Sequence, residues 1–99
     1  MQIGIIGAGH VGCALAIRLV ELGHLVKVAN SRGRDSLQNF AKATGAAAVD
    51  AEDVSSGVDV LIIAIPYGRI AEVPKSIVTS LPPTAIVVDT GNYYPLRTV

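Results

Sequence analysis

Apolar residues fall along this chain in two alternating rhythms. Short continuous runs, as at residues 2–6, 25–29 and 60–65, are separated by stretches in which apolar positions recur every three or four residues. Repetition of that pair of rhythms at intervals of about thirty residues or fewer marks strand-helix units and a parallel sheet. Residues 2–6 read as the first strand and residues 10–22 as a helix, with Val11, Leu15, Leu19 and Leu22 at helical spacing and Ala14 and Ala16 keeping one side shallow. Gly23 closes that helix as a C-terminal cap. Residues 25–29 form the second strand and residues 30–34 the turn after it. A second helix is expected over residues 36–44, capped by Asp35 or Ser36, with Leu37, Phe40 and Ala41 on one face and Gly45 as its stop.

Residues 46–49 make a weak third strand, and residues 50–55 a short helical crossover closed by Gly57. The most apolar segment, residues 60–65, is the fourth strand, ended by Pro66. A helix over residues 69–80 is interrupted at Pro74 and stopped by Pro82 and Pro83. Residues 85–88 are the fifth strand, and residues 89–95 a loop. Pro and Gly punctuate the pattern, and no internal repeat or low-complexity tract interrupts it.

Composition narrows this picture. The chain has 99 residues, of which 51% are hydrophobic and 16% charged, with eight Lys and Arg against eight Asp and Glu. That length sets the expectation of a single domain over residues 1–99, and the balance argues against a disordered tail or a nucleic-acid-binding surface. With no Trp, one Phe and three Tyr, the core is expected to be aliphatic and closely layered. The apolar run at residues 60–65 is about a third of the roughly 20 residues a membrane-crossing helix needs, so it fits a buried strand. One cysteine, Cys13, allows no internal disulfide and makes a zinc site within one chain improbable; it reads as a buried thiol between small residues. No basic segment precedes the first apolar residues, and the expected setting is a reducing cytoplasm.

Chemistry concentrates where the first strand gives way to the first helix. Gly7-Ala8-Gly9-His10-Val11-Gly12 matches G-x-G-x-x-G, a pattern common by chance but meaningful between a strand and a helix. Gly7 permits the tight turn, Gly9 lets the backbone approach a pyrophosphate, and Gly12 lets the helix pack against the strand. Amides near His10 and Val11 then face the anion at a helix N-terminus. The other reading is a glycine turn that holds no ligand. Together these features predict a three-layer α/β domain of the Rossmann type, a doubly wound parallel sheet of five strands in the order 3-2-1-4-5, with a dinucleotide bound beyond the carboxyl ends of the strands. Gly7, Asn30, Pro66 and Asp89 each fall at such an end.

The end of the second strand speaks to which dinucleotide. An NAD site places Asp or Glu there to accept from the ribose hydroxyls, whereas this chain has Asn30, Ser31, Arg32 and Arg34. Without the carboxylate a 2′-phosphate meets no repulsion, and an arginine offers it a charge-assisted, bidentate partner. The expectation is therefore NADP(H), with Ser31 and Arg32 as phosphate ligands and Arg34 as a further candidate. Solvated loop charges are the alternative for both arginines.

These residues resemble the NADP-binding domain of the coenzyme F420-dependent NADP oxidoreductases. The likeness runs over nearly the whole chain: Ile5 to Gly12 with Ala14-Leu15-Ala16, then Leu22-Gly23-His24, Asn30-Ser31-Arg32, Ile65-Pro66-Tyr67, and Val88-Asp89-Thr90-Gly91-Asn92. The resemblance implies that the glycine turn holds the pyrophosphate and that Ser31 with Arg32 holds the adenosine phosphate. It also implies that Ile65, Pro66 and Tyr67 with Thr90, Gly91 and Asn92 border the nicotinamide, and that coenzyme F420 is the hydride acceptor. The family carries a basic residue a few positions after the Ser-Arg pair; Ser36 lies near that point here, so Arg34 would substitute. By the same likeness the chain is expected to be the N-terminal cofactor-binding part of a longer oxidoreductase, or else a very small member of its class.

Other readings stand beside this one. A non-catalytic dinucleotide-sensing module would need the same glycine turn, and imine, flavin or metal reductases carry similar first domains. His10 is either a pyrophosphate contact or a solvent-facing residue of the first helical turn. His24 and Asp59 read as turn residues, and Tyr67, Tyr93 and Tyr94 as stacking groups or covers for a core edge. In an isolated domain the fifth strand is an expected open edge, and two copies would pair as a homodimer either through it or through the C-terminal part that the family carries.

Overall fold

A computed structural model describes residues 1–7, 10–30, 34–64, 77 and 79–89. Its elements are β1 (Gln2–Ile6), α1 (His10–Glu21), β2 (Leu25–Ala29), a 3₁₀ turn (Arg34–Leu37), α2 (Gln38–Thr44), β3 (Ala47–Ala48), a second 3₁₀ turn (Ala51–Asp53), β4 (Val60–Ile63) and β5 (Ile86–Asp89). All five strands join one sheet in the order β3-β2-β1-β4-β5, and every neighbouring pair is parallel. This is the doubly wound three-layer arrangement expected of the sequence pattern.

Alternation along the strands sorts the core into two layers. Ile3, Ile5, Val26, Val28 and Ile62 pack on one side with Ala16 of α1 and Leu37 ahead of α2, while Ile6, Ala29 and Leu61 pack on the other with Val54, Val58 and Ile77. Ile5, Leu61 and Ile77 are fully buried, and each stabilises the fold by about 1.5–3 kcal/mol through area removed from water. On the second face the chain lies close to the sheet: a Cβ on Gly4 would collide with the Val54 carbonyl, so only glycine admits that backbone there. Lys27 reaches across the same face from β2, its Nζ donating to the carbonyls of Asp53 (3.2 Å) and Ser56 (2.6 Å).

Several boundaries move by a residue or two. α1 ends at Glu21, and Leu22, expected on its apolar stripe, lies beyond the helix and is 65% exposed. The reason is a Schellman cap: Gly23 at φ +91° donates to Val20 O and His24 donates to Leu19 O, which turns the chain away one residue early. The second helix departs further, since its N-cap position falls on Leu37 and not on Asp35 or Ser36. Residues 34–37 wind as the 3₁₀ turn, and α2 starts after Leu37, which has no side-chain cap bond and is 4% exposed. Burial of Leu37 in the first core layer holds the turn there, and Gly45 at φ +87° ends α2 as expected.

The third strand shrinks to two alanines, although Val49 N still donates to Val28 O. The fourth ends at Ile63, and the fifth covers 86–89 in place of 85–88. Of the helix expected over residues 69–80, Ile77, Thr79 and Ser80 are described; the first two are helical and Ser80 is already in a turn. Cys13 is half-buried rather than enclosed. Among the described residues no helix is long and apolar enough to cross a membrane.

Candidate functional site at the carboxyl edge of the sheet

Strand register brings the candidate positions to one edge. Ile6 pairs with Ala29 of β2 and with Ile63 of β4, and Ile63 pairs with Asp89 of β5, so four strands end level with one another. The chain leaves that edge at Gly7, Asn30 and Ala64. Two backbone bonds carry the ladder one step past it: Gly7 N donates to Ala29 O at 2.7 Å, and Ala64 N donates to Ile6 O at 2.8 Å. The glycine turn and the end of β2 are thereby tied directly together.

Gly7 is buried and has φ +104°, a conformation that L side chains rarely adopt. α1 begins at His10, so its first amides open toward the strand ends. Gly12 is buried in the first turn of α1, and a Cβ there would clash with the Gly7 carbonyl oxygen. The last glycine of the motif therefore has a demonstrable steric cause: α1 sits against the turn at a distance that only hydrogen on Cα permits. The first amides of α1 and the positive end of its dipole face the same edge, the chemistry that an anionic group such as a pyrophosphate would need.

Asn30 stands half-buried after β2, at the place where a carboxylate would select NAD. Arg34 opens the following 3₁₀ turn. The side chains of His10, Val11 and Arg34 lie outside the described part of the structure, as do residues Ala8, Gly9, Ser31, Arg32, Ile65, Pro66, Tyr67, Thr90, Gly91 and Asn92 in full. Of the sixteen positions singled out from sequence, Gly7, Gly12 and Asn30 are thus brought to one edge with their surroundings in view. Asp89 closes β5 at the same edge. Two expected turn residues have structural partners: His24 completes the cap of α1, while the Asp59 carboxylate accepts from Gln2 N at 2.8 Å at the opposite, amino end of the sheet. Sequence reasoning missed Ala64, whose methyl group faces α1 across from Gly12. Alanine at the end of an apolar run carries no signal of its own.

Comparison with known proteins adds what geometry alone leaves out. Residues 2–93 match the family model described as NADP oxidoreductase, coenzyme F420-dependent. Among curated protein sequences there is no significant match. A solved structure of a hypothetical protein from Sinorhizobium meliloti is 38% identical, with a TM-score of 0.73 over 91% of this chain and 43% of its own. Synechocystis arogenate dehydrogenase is 25% identical, with a TM-score of 0.77 over 90% of this chain and 32% of its own. A protein of Arthrobacter sp. FB24 assigned as an F420-dependent NADP-reductase shares the fold at 21% identity, with a TM-score of 0.78 over 90% of this chain and 44% of its own. The chain spans less than half the length of each of these structures.

Proposed function

The chain belongs to the coenzyme F420-dependent NADP oxidoreductase family, and from that premise we propose that it binds NADP(H) and presents the nicotinamide for hydride transfer. The observation that carries the proposal is the seat of α1 on the glycine turn, where Gly12 admits the Gly7 carbonyl at the edge on which four strands end level. In this reading Gly7, Ala8, Gly9, His10, Val11 and Gly12 hold the pyrophosphate through backbone amides and the helix dipole. Asn30, Ser31, Arg32 and Arg34 hold the adenosine 2′-phosphate, and the absence of a carboxylate at position 30 removes the repulsion that would exclude it. Ile65, Pro66 and Tyr67 flank the nicotinamide from the end of β4, and Thr90, Gly91 and Asn92 flank it from the end of β5.

The bound dinucleotide supplies the hydride chemistry, so the chain's own residues need only bind, orient and exclude water. No nucleophile and base pair is required of them. Coenzyme F420 is the proposed acceptor, with its pocket completed by polypeptide beyond the part this chain shares with its longer structural relatives. The setting proposed is cytoplasmic, with a small-molecule dinucleotide as the partner.

Arg32→Ala tests the phosphate assignment. A charge-assisted hydrogen bond contributes about 1.5–3 kcal/mol, so the variant is expected to bind NADPH about tenfold or more weakly and NADH almost unchanged. Equal losses for both dinucleotides would show that Arg32 acts on the fold and would remove it from the phosphate site.

A further inference from the structure

Resting on the pyrophosphate reading of the glycine turn, we propose that Ala64 is a positioning residue: the size of its side chain sets how closely α1 seats on the turn, and so where the helix amides meet the anion. Three observations place it in that role. Its methyl group lies 3.6 Å from the position a Cβ on Gly12 would take, the same position that meets the Gly7 carbonyl, so Gly7, Gly12 and Ala64 enclose one small volume. Its backbone is fixed, because Ala64 N donates to Ile6 O at 2.8 Å and extends the β1 to β4 ladder past the strand end. Its methyl joins the core layer beneath α1, whose residues toward the sheet begin with the smallest, Gly12, and go on to Leu15, Ala16, Leu19 and Val20.

Gly12 lets the first turn of α1 lie against the Gly7 carbonyl at the end of β1, beside β4, where the strand order changes direction. Backbone at Ala64 cannot retreat without breaking its bond to Ile6. Added side-chain atoms at position 64 therefore displace the first turns of α1 outward, away from Gly7, and lower anion affinity without touching any ligand atom. Proximity effects of this kind are steep, since binding groups are productive only in a narrow geometry.

The test uses the full chain, isothermal titration and two ligands. NADPH carries the pyrophosphate; adenosine 2′-phosphate carries the same phosphate on the ribose but no pyrophosphate. Ala64→Val is expected to weaken NADPH by about tenfold or more while adenosine 2′-phosphate stays within about twofold, and Ala64→Ser, nearly the size of alanine, is expected to keep both. Unchanged NADPH affinity in Ala64→Val, or parallel losses for the two ligands, overturns the assignment. Should Ala64→Val fail to fold, Ala64→Cys takes its place: a selective NADPH loss in Ala64→Cys beside an unchanged Ala64→Ser supports the assignment, and no loss in Ala64→Cys overturns it. Failure of the wild-type chain to bind NADPH is a different result, seen before any variant is made, and it removes the dinucleotide reading itself.

Discussion

Gly4 and Gly12 are glycine for the same steric reason, yet their loss has different consequences. A Cβ at Gly4 runs into the Val54 carbonyl on the second face of the sheet, and a Cβ at Gly12 runs into the Gly7 carbonyl at the carboxyl edge. Each alanine substitution is expected to destabilise the fold by about 1–3 kcal/mol, measured by chemical denaturation. Only Gly12→Ala is expected to depress NADPH affinity at temperatures where both variants remain folded; an equal drop for Gly4→Ala would separate the cradle from the binding. Ser55 offers the opposite sign. It is fully buried, and its hydroxyl has no hydrogen-bond partner among the described residues, so Ser55→Ala is expected to leave stability unchanged or raise it by up to about 1 kcal/mol. A loss of more than that would mean the hydroxyl is satisfied. Gly12 was legible in the sequence because its task is local, within six residues of Gly7 in a known pattern. Gly4 and Ala64 were not, since what they touch lies far along the chain and only strand pairing brings it near.

At the scale of elements, most of what forms here was visible as rhythm, and the departures cluster where long-range packing competes with a local signal. β1, β2 and the glycine that ends α1 fall where periodicity and turn chemistry place them. The start of α2 does not: residues 34–37 wind first as a 3₁₀ turn that buries Leu37, and the N-cap position falls there, past Asp35 and Ser36. Lys27 shows the same limit: within β2 it reads as a surface lysine, while its partners are the carbonyls of a connection folded onto the sheet. Lys27→Met keeps the apolar stem and removes two charge-assisted bonds. It is expected to cost about 1–3 kcal/mol, seen as a lower denaturation midpoint with little change in NADPH binding. Gly45→Ala probes an element end instead, and its φ of +87° predicts a loss of about 1 kcal/mol from strain at the α2 cap.

For the whole molecule, parallel pairing explains why residues far apart in sequence share an edge. Each crossover returns the chain to the same end of the sheet, so Gly7, Asn30, Ala64 and Asp89 converge without any contact that sequence alone displays. A formal net charge of zero conceals how charge is placed, since Arg32 and Arg34 follow β2 where a phosphate is proposed. β5 leaves Ile86, Val87 and Val88 between 43% and 62% exposed along an edge that parallel sheets ordinarily cover. Val87→Lys is accordingly expected to reduce concentration-dependent association in sedimentation velocity while leaving the sheet intact, and association that survives the change runs through another surface. The central claim, that this edge is an NADP(H) site, is tested most directly by titrating the chain with NADPH and NADH under identical conditions. The account predicts that NADPH binds at least about tenfold more tightly, the contribution of one charge-assisted phosphate contact. Equal affinities, or tighter NADH, would contradict it.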